Sequence, residues 1–178
     1  MLHLIVCQQI SRRHDMERFS LQQKVSHDAL TGVGSRSALN RCFEDLEMQR
    51  NYVLVLLDID DFKQINDQLG HLNGDQVLSE LGSLLNEACG KGTAYRFGGD
   101  EFCLVLSDTD NEEAENQMRK LQERFHQRMK TRFPQLSMTI SLGIHQHQGG
   151  ESALQSFRHA DEALYCAKAC GKNHIAVN

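Results

Sequence analysis

The chain has 178 residues, 40% of them hydrophobic and 24% charged, with a formal net charge of −5. This length suits one domain with a real core, and the composition is that of an ordinary globular protein. The negative balance excludes a general attraction to nucleic acid or to an anionic membrane, so any polyphosphate ligand has to be held by local cations and metal.

Residues 1–27 contain no glycine or proline and many helix formers, and they predict a lead-in helix. Its apolar positions (Ile10, Met16, Phe19, Leu21, Val25) do not sustain a heptad over several turns, so a coiled coil is open but not demonstrated. The opening LHLIV is far shorter than the roughly 20 apolar residues needed to span a bilayer. HDALTGVGSR breaks the helix at Gly32 and Gly34, and Ser35 can cap the next one, SRSALNRCFEDLEMQR. Tyr52 to Ile59, YVLVLLDI, is a short apolar run without alternation, which predicts a buried central strand. It ends among the acids Asp58, Asp60 and Asp61.

FKQINDQLG follows as a short helix closed by Gly70, then GDQVLSELGSLLNEACG as an amphipathic helix with Val77, Leu78, Leu81, Leu84 and Leu85 inward. TAYRF and FCLVLS have the β-branched and aromatic content of strands, and the Gly98-Gly99 pair between them predicts a tight two-residue hairpin whose turn needs positive φ. A polar helix from Asn111 to about Lys130, an alternating strand LSMTISLGIH and a last helix SALQSFRHADEALYCAKACG, ended by Gly171, complete the chain. Together these elements predict an α/β (α+β) fold with a mixed central sheet flanked by helices. There is no internal repeat, and the expected division is a lead-in helix over 1–27 and one domain over 28–178.

The six cysteines show no CxxC pair and no secretory signal precedes them, so reduced thiols and a cytoplasmic location are expected. Cys166 and Cys170 lie one helical turn apart, and His145 and His147 share a strand face, but packing explains both pairs more readily than a metal does.

Turn chemistry accounts for Gly98 and Gly99 but not for Asp100 and Glu101. Two adjacent acids entering an apolar strand cost desolvation unless a positive charge sits beside them. If the two strands are neighbours, Asp58 and Asp100 converge, and oxygen ligands with room for water suit Mg²⁺. Such a pair can hold ions that activate an attacking oxygen and stabilise a leaving phosphate. A bare Gly98-Gly99 backbone would let a nucleotide approach closely.

Asp58-Ile59-Asp60-Asp61-Phe62-Lys63, Ile65-Asn66-Asp67, Gly70-His71, Gly74-Asp75 and RFGGDEF at 96–102 together resemble the GGDEF family of diguanylate cyclases. LTG at 30–32 and ADEALYCAKACGKN at 160–173 extend the resemblance over about 28–178. It implies a fold akin to the palm of nucleotidyl cyclases and condensation of two GTP into cyclic di-GMP with release of two pyrophosphates. Carried over, Asp58, Asp100 and the Ile59 carbonyl would be the ligands of Mg²⁺, for which Mn²⁺ can substitute. Asp100 would also take the proton of the attacking 3′-hydroxyl, and Glu101 would assist. Asn66 and Asp75 would read guanine, since a carboxylate accepts from its N1 and N2 hydrogens and an amide can donate to a ring acceptor. His71 would lie against the substrate or stabilise its turn. Lys63, Lys168 and Lys172, with backbone amides near Asp61 and Phe62, would hold the phosphates, and Arg96 would be structural.

Departures from the family pattern have consequences of their own. Val33, Gly34, Ser35, Arg36 and Ser37 replace the usual continuation of LTG, which lacks here its asparagine and second arginine. Lys172 stands where arginine is commoner, keeping charge but losing bidentate geometry. Cys89 and Gly92 occupy the RxxD product-inhibition positions, so feedback inhibition through that site is not expected. One chain binds one GTP in this scheme, so a homodimer is needed, and residues 1–27 would couple it to an upstream sensor or serve merely as a lead-in. The alternative is a catalytically inactive module that binds GTP or cyclic di-GMP as a receptor, although such members usually lose the acids retained here. A cyclase of other nucleotides is opposed by Asp75, and a structural domain would leave the acids unexplained.

Overall fold

The computed structural model describes residues 26–46, 51–89 and 93–178. The helix expected over 1–27 lies outside them except at its end, where His27 forms an antiparallel bridge with Gly34. The elements are α1 (Arg36–Leu46), β1 (Tyr52–Ile59), α2 (Phe62–Leu69), α3 (His71–Cys89), β2 (Ala94–Arg96), β3 (Glu101–Ser107), α4 (Asn111–Arg132), β4 (Ile140–Gln146), α5 (Ala153–Ala169) and β5 (Ile175–Val177). The sheet order is β2-β3-β1-β4-β5, with only the β4–β5 pair parallel. This is the expected mixed sheet flanked by helices.

β1 lies at the centre and all eight of its residues are buried, because both faces are covered. Val53, Val55, Leu57 and Ile59 pack with Val77, Leu81 and Leu85 of α3 and with Met118, Leu121 and Phe125 of α4. Tyr52, Leu54 and Leu56 pack with Leu39 and Leu46 of α1 and with Ala160 and Leu164 of α5. Each buried Leu or Val contributes about 1.5–3 kcal/mol of transfer free energy, so a run without alternation is stable only in the middle of three layers.

β4 does alternate, yet its polar and small positions are not solvated. Ser141 and His145 are buried, and a Cβ at Gly143 would stand 2.2 Å from the Ala160 carbonyl and the Leu164 amide. These three residues lie beneath α5. A capping box formed by Ser152 and Gln155 starts α5, and Asp110 caps α4 by accepting from the Glu113 amide.

Three expectations need correction. The hairpin is not a two-residue turn: Gly98, Gly99 and Asp100 intervene before the Phe97 amide donates to the Glu101 carbonyl, and neither glycine has positive φ. Helix α3 starts at His71 rather than near Gly74, because Gly70, at φ 79°, breaks the chain and its carbonyl accepts from the Asn73 and Gly74 amides. The short edge strand β5 was not expected.

Candidate functional site

Antiparallel pairing brings the end of β1 and the start of β3 to the same edge. The register sets Asp58 directly opposite Glu101 on one side and Ser141 on the other, with Asp100 one residue earlier in the hairpin. Opposed residues in an antiparallel pair share a face, so Asp58 and Glu101 point to the α5 side. Asp58 is only 7% exposed, and Lys168 at the end of α5 donates to its Oδ2 at 2.8 Å. Burial pushes the Asp58 carboxyl up to about 6; Lys168 opposes the shift and the charges of Asp100 and Glu101 add to it. The site is thus a desolvated carboxylate with two further acids close by, and its chemistry calls for positive charge.

The two glycines divide the work at the hairpin tip. A Cβ on Gly98 would stand 2.0 Å from Glu101 Oε2, whereas one on Gly99 would meet nothing within 4 Å. Gly98 therefore admits the folded-back Glu101 side chain, and Gly99 leaves open space. Arg96 holds the tip: its Nε and Nη2 donate to the Gly99 carbonyl at 3.0 and 2.7 Å, and its Nη1 to Asp28 Oδ1 at 3.1 Å. Asp28 also accepts from the amide and hydroxyl of Thr31, so the LTG turn and the hairpin share one anchor. The structural role expected of Arg96 matches this geometry.

The acid turn after β1 has a second anchor that sequence reasoning left without a role. Asp60, 6% exposed, accepts from Thr139 Oγ1 at 2.6 Å, Ser141 Oγ at 2.7 Å and the Asn173 amide at 2.9 Å. It ties the end of β1 to β4 and to the segment carrying Lys172. Thr139 and Ser141, polar and two residues apart where β4 begins, were the available signal. Asp61, Lys172 and Asn173 all have left-handed backbones at φ 55°, 63° and 49°, a strain of about 1–3 kcal/mol each that clusters at functional turns. Lys172 Nζ bonds Asp61 Oδ1 at 2.6 Å, which raises the lysine pKa.

Asn66 and Asp75 are brought together through Gly74. A Cβ there would stand 1.8 Å from Asn66 Oδ1 and 3.4 Å from Phe62 Cζ, so the Asn66 amide closes on the first turn of α3, one residue from Asp75, only because residue 74 is glycine. His71 and Asp75 are exposed on the first turns of α3, and Lys63 is exposed on α2. Ile59 buries its side chain in the core and can offer only its backbone. Lys168 and Lys172 reach the acid edge already paired with carboxylates. A wider groove between α3 and α4 is lined by Arg124, Arg128 and Arg132, which pair with Glu80 and Glu87; it lies away from these acids. Cys42, Cys89, Cys103, Cys166 and Cys170 are free thiols.

Comparison with known proteins agrees with this geometry. The sequence model described as diguanylate cyclase, GGDEF domain, matches residues 25–174. The chain is 33% identical to diguanylate cyclase DgcM of Escherichia coli (strain K12) over 180 aligned positions, covering 98% of this chain but 43% of the relative. It therefore spans less than half of that relative's length. Among solved structures, the coiled coil and GGDEF domain of DgcB from Caulobacter crescentus in complex with c-di-GMP superposes with a TM-score of 0.78 at 25% identity, covering 99% of this chain and 97% of that one. Diguanylate cyclase SiaD of Pseudomonas aeruginosa, in complex with its activator SiaC, gives 0.74 at 31% identity, covering 99% and 72%.

Proposed function

Because the chain belongs to the GGDEF-domain family of diguanylate cyclases, we propose that it condenses two GTP into cyclic di-GMP, releasing two pyrophosphates, with two copies of the domain facing each other. The observation that carries this reading is the buried Asp58 carboxylate with Asp100 and Glu101 at its side and a lysine ammonium against it. That donor set fits a divalent cation: it is all oxygen, it is short of positive charge, and Lys168 is a stand-in cation on one of the carboxylate oxygens. Asp58, Asp100 and the Ile59 carbonyl would hold Mg²⁺, or Mn²⁺ in its place. When bound, the ion supplies polarisation of the phosphate and a lowered pKa at the attacking hydroxyl.

The chain's own residues do the rest. Asp100 accepts the proton of the 3′-hydroxyl, with Glu101 beside it. Asn66 and Asp75 bind the guanine edge, Asp75 as acceptor for the N1 and N2 hydrogens that adenine lacks. His71 and Phe62 border the same subsite. The open side of Gly99 admits the nucleotide, and Lys63, Lys168 and Lys172 supply charge to the phosphates. Each copy aligns one GTP, so the rate gain comes from holding the 3′-hydroxyl of one against the α-phosphate of the other. Residues 28–178 form the catalytic unit, and residues 1–27 couple it to an upstream sensor, a reading supported by the DgcB structure, which holds a coiled coil together with its GGDEF domain. The reaction takes place in the cytoplasm, where GTP and Mg²⁺ are available.

Incubation of the protein with GTP and Mg²⁺, followed by chromatography, tests this. Cyclic di-GMP from the parent and a loss of about 10³-fold or more in Asp100→Ala are expected. A parent that binds GTP but makes no product, even at concentrations that drive dimerisation, would replace the enzyme by a nucleotide-binding receptor module.

A further inference from the structure

The opposite edge of the sheet holds a cluster that the cyclase reading does not use. His145 on β4, Glu151 just before α5 and His159 two turns into α5 bring their donor atoms within 4.8 Å of one another. His145 Nε2 is 2.8 Å from Glu151 Oε1, and His159 Nδ1 is 3.1 Å from Glu151 Oε2. The other nitrogen of His145, Nδ1, faces the main-chain oxygen of Asn178 at 3.1 Å. Both nitrogens of this buried ring therefore face oxygens that only accept. A neutral imidazole has one N–H to offer, so one of the two nitrogens faces an acceptor with a bare lone pair.

We propose that His145, Glu151 and His159 form a Zn²⁺ site. Nδ1–H of His145 donating to a main-chain oxygen is the arrangement that orients a ring and leaves Nε2 for a metal. Two imidazoles and a carboxylate are a borderline donor set that suits zinc rather than magnesium or calcium. His145 and His159 touch different oxygens of Glu151, at 2.8 and 3.1 Å, and the three ligand atoms lie within 4.8 Å of one another; ligand atoms around tetrahedral zinc lie about 3.3 Å apart for bonds of roughly 2.0–2.1 Å, so the ion draws the widest pair in by at most about 1.5 Å. The His159 side chain is 43% exposed while those of His145 and Glu151 are 6% and 9% exposed, which gives the ion an entry path and leaves a fourth position for water. His147 stands behind these ligands, bonded to Ser156 Oγ at 3.0 Å and stacked on Tyr52.

The test is equilibrium dialysis of the full chain against Zn²⁺ in excess Mg²⁺, which saturates oxygen-only sites. It uses a Cys166→Ser/Cys170→Ser background so that the exposed thiols do not contribute. One zinc per chain, a raised Tm and an affinity weakened more than about tenfold by His159→Gln are expected. His159 is exposed enough for that variant to fold, and an unchanged Tm in EDTA checks that it does. Absence of bound zinc overturns the proposal. So does zinc retained equally by His159→Gln, or zinc that disappears with the two cysteines alone.

Discussion

The two edges of the sheet beneath α5 treat a carboxylate drawn out of solvent in opposite ways. At one edge Asp58 has a single cationic partner and two like-charged neighbours, and its pKa rises from 3.8 to about 6. At the other, burial also pushes Glu151 upward, but hydrogen bonds from the Gln148 amide and the Ser156 hydroxyl, with the His145 ring against the same oxygen, outweigh it and hold the carboxyl down from 4.5 to about 2. Asp58 lies at the end of β1, against Lys168 at the end of α5, and Glu151 stands just before the start of that helix. An anion surrounded by donors stabilises the fold; one left short of donors is held at a cost to the fold and is available to a ligand.

Three substitutions can break or sharpen that contrast. The largest effect is expected for Glu151→Gln, which removes the anion held by the Gln148 amide and the Ser156 hydroxyl and should cost about 3 kcal/mol of unfolding free energy at neutral pH. The Glu151 pKa is depressed, so its stabilisation is present above 4.5 and is lost as the pH falls toward 2; urea denaturation across that window measures it. An equal stability of parent and variant at neutral pH would remove the contrast. Asp58→Asn should move in the other direction. An acid whose folded pKa is raised destabilises the fold when ionised, so in EDTA the variant should be more stable by about 1–3 kcal/mol at neutral pH, and the difference should vanish as the pH falls below 6 toward 3.8. A destabilised variant would mean that the Lys168 pair, and not desolvation, governs this edge. The smallest effect is expected for Lys172→Arg. A guanidinium can grip phosphate through two hydrogen bonds, so calorimetry should show GTP binding tightened by roughly threefold, with stability unchanged because the Lys172–Asp61 pair is exposed.

How much of this was legible in the sequence follows from which interactions are local. β1 could be read from its unbroken apolar run and α2 from its Gly70 stop, since both depend on neighbouring residues. The acids at the end of β1 and in the hairpin were legible too, because their desolvation cost is implied by the apolar segments around them. The hairpin turn was misread: the glycine pair suggested positive φ, whereas Gly98 is needed because a Cβ there would occupy the space of the Glu101 carboxylate. β5 has three residues and exists only because β4 offers it an edge. Asp60 as an anchor requires Thr139, Ser141 and Asn173 from distant parts of the chain. The pairing of His145 with His147 was visible as a strand face, but Glu151 and His159 join it only when α5 packs down on Gly143.

The clamp of Arg96 on the Gly99 carbonyl has a consequence for timing. Glycine loses more conformational freedom on ordering than any other residue, and a segment containing two of them would ordinarily lose it at the moment a ligand arrives. Here three hydrogen bonds from one guanidinium immobilise the tip against both itself and Asp28. The entropy is surrendered when the chain folds, about 1–2 kcal/mol per residue, and what approaches Gly99 afterwards meets a surface already set.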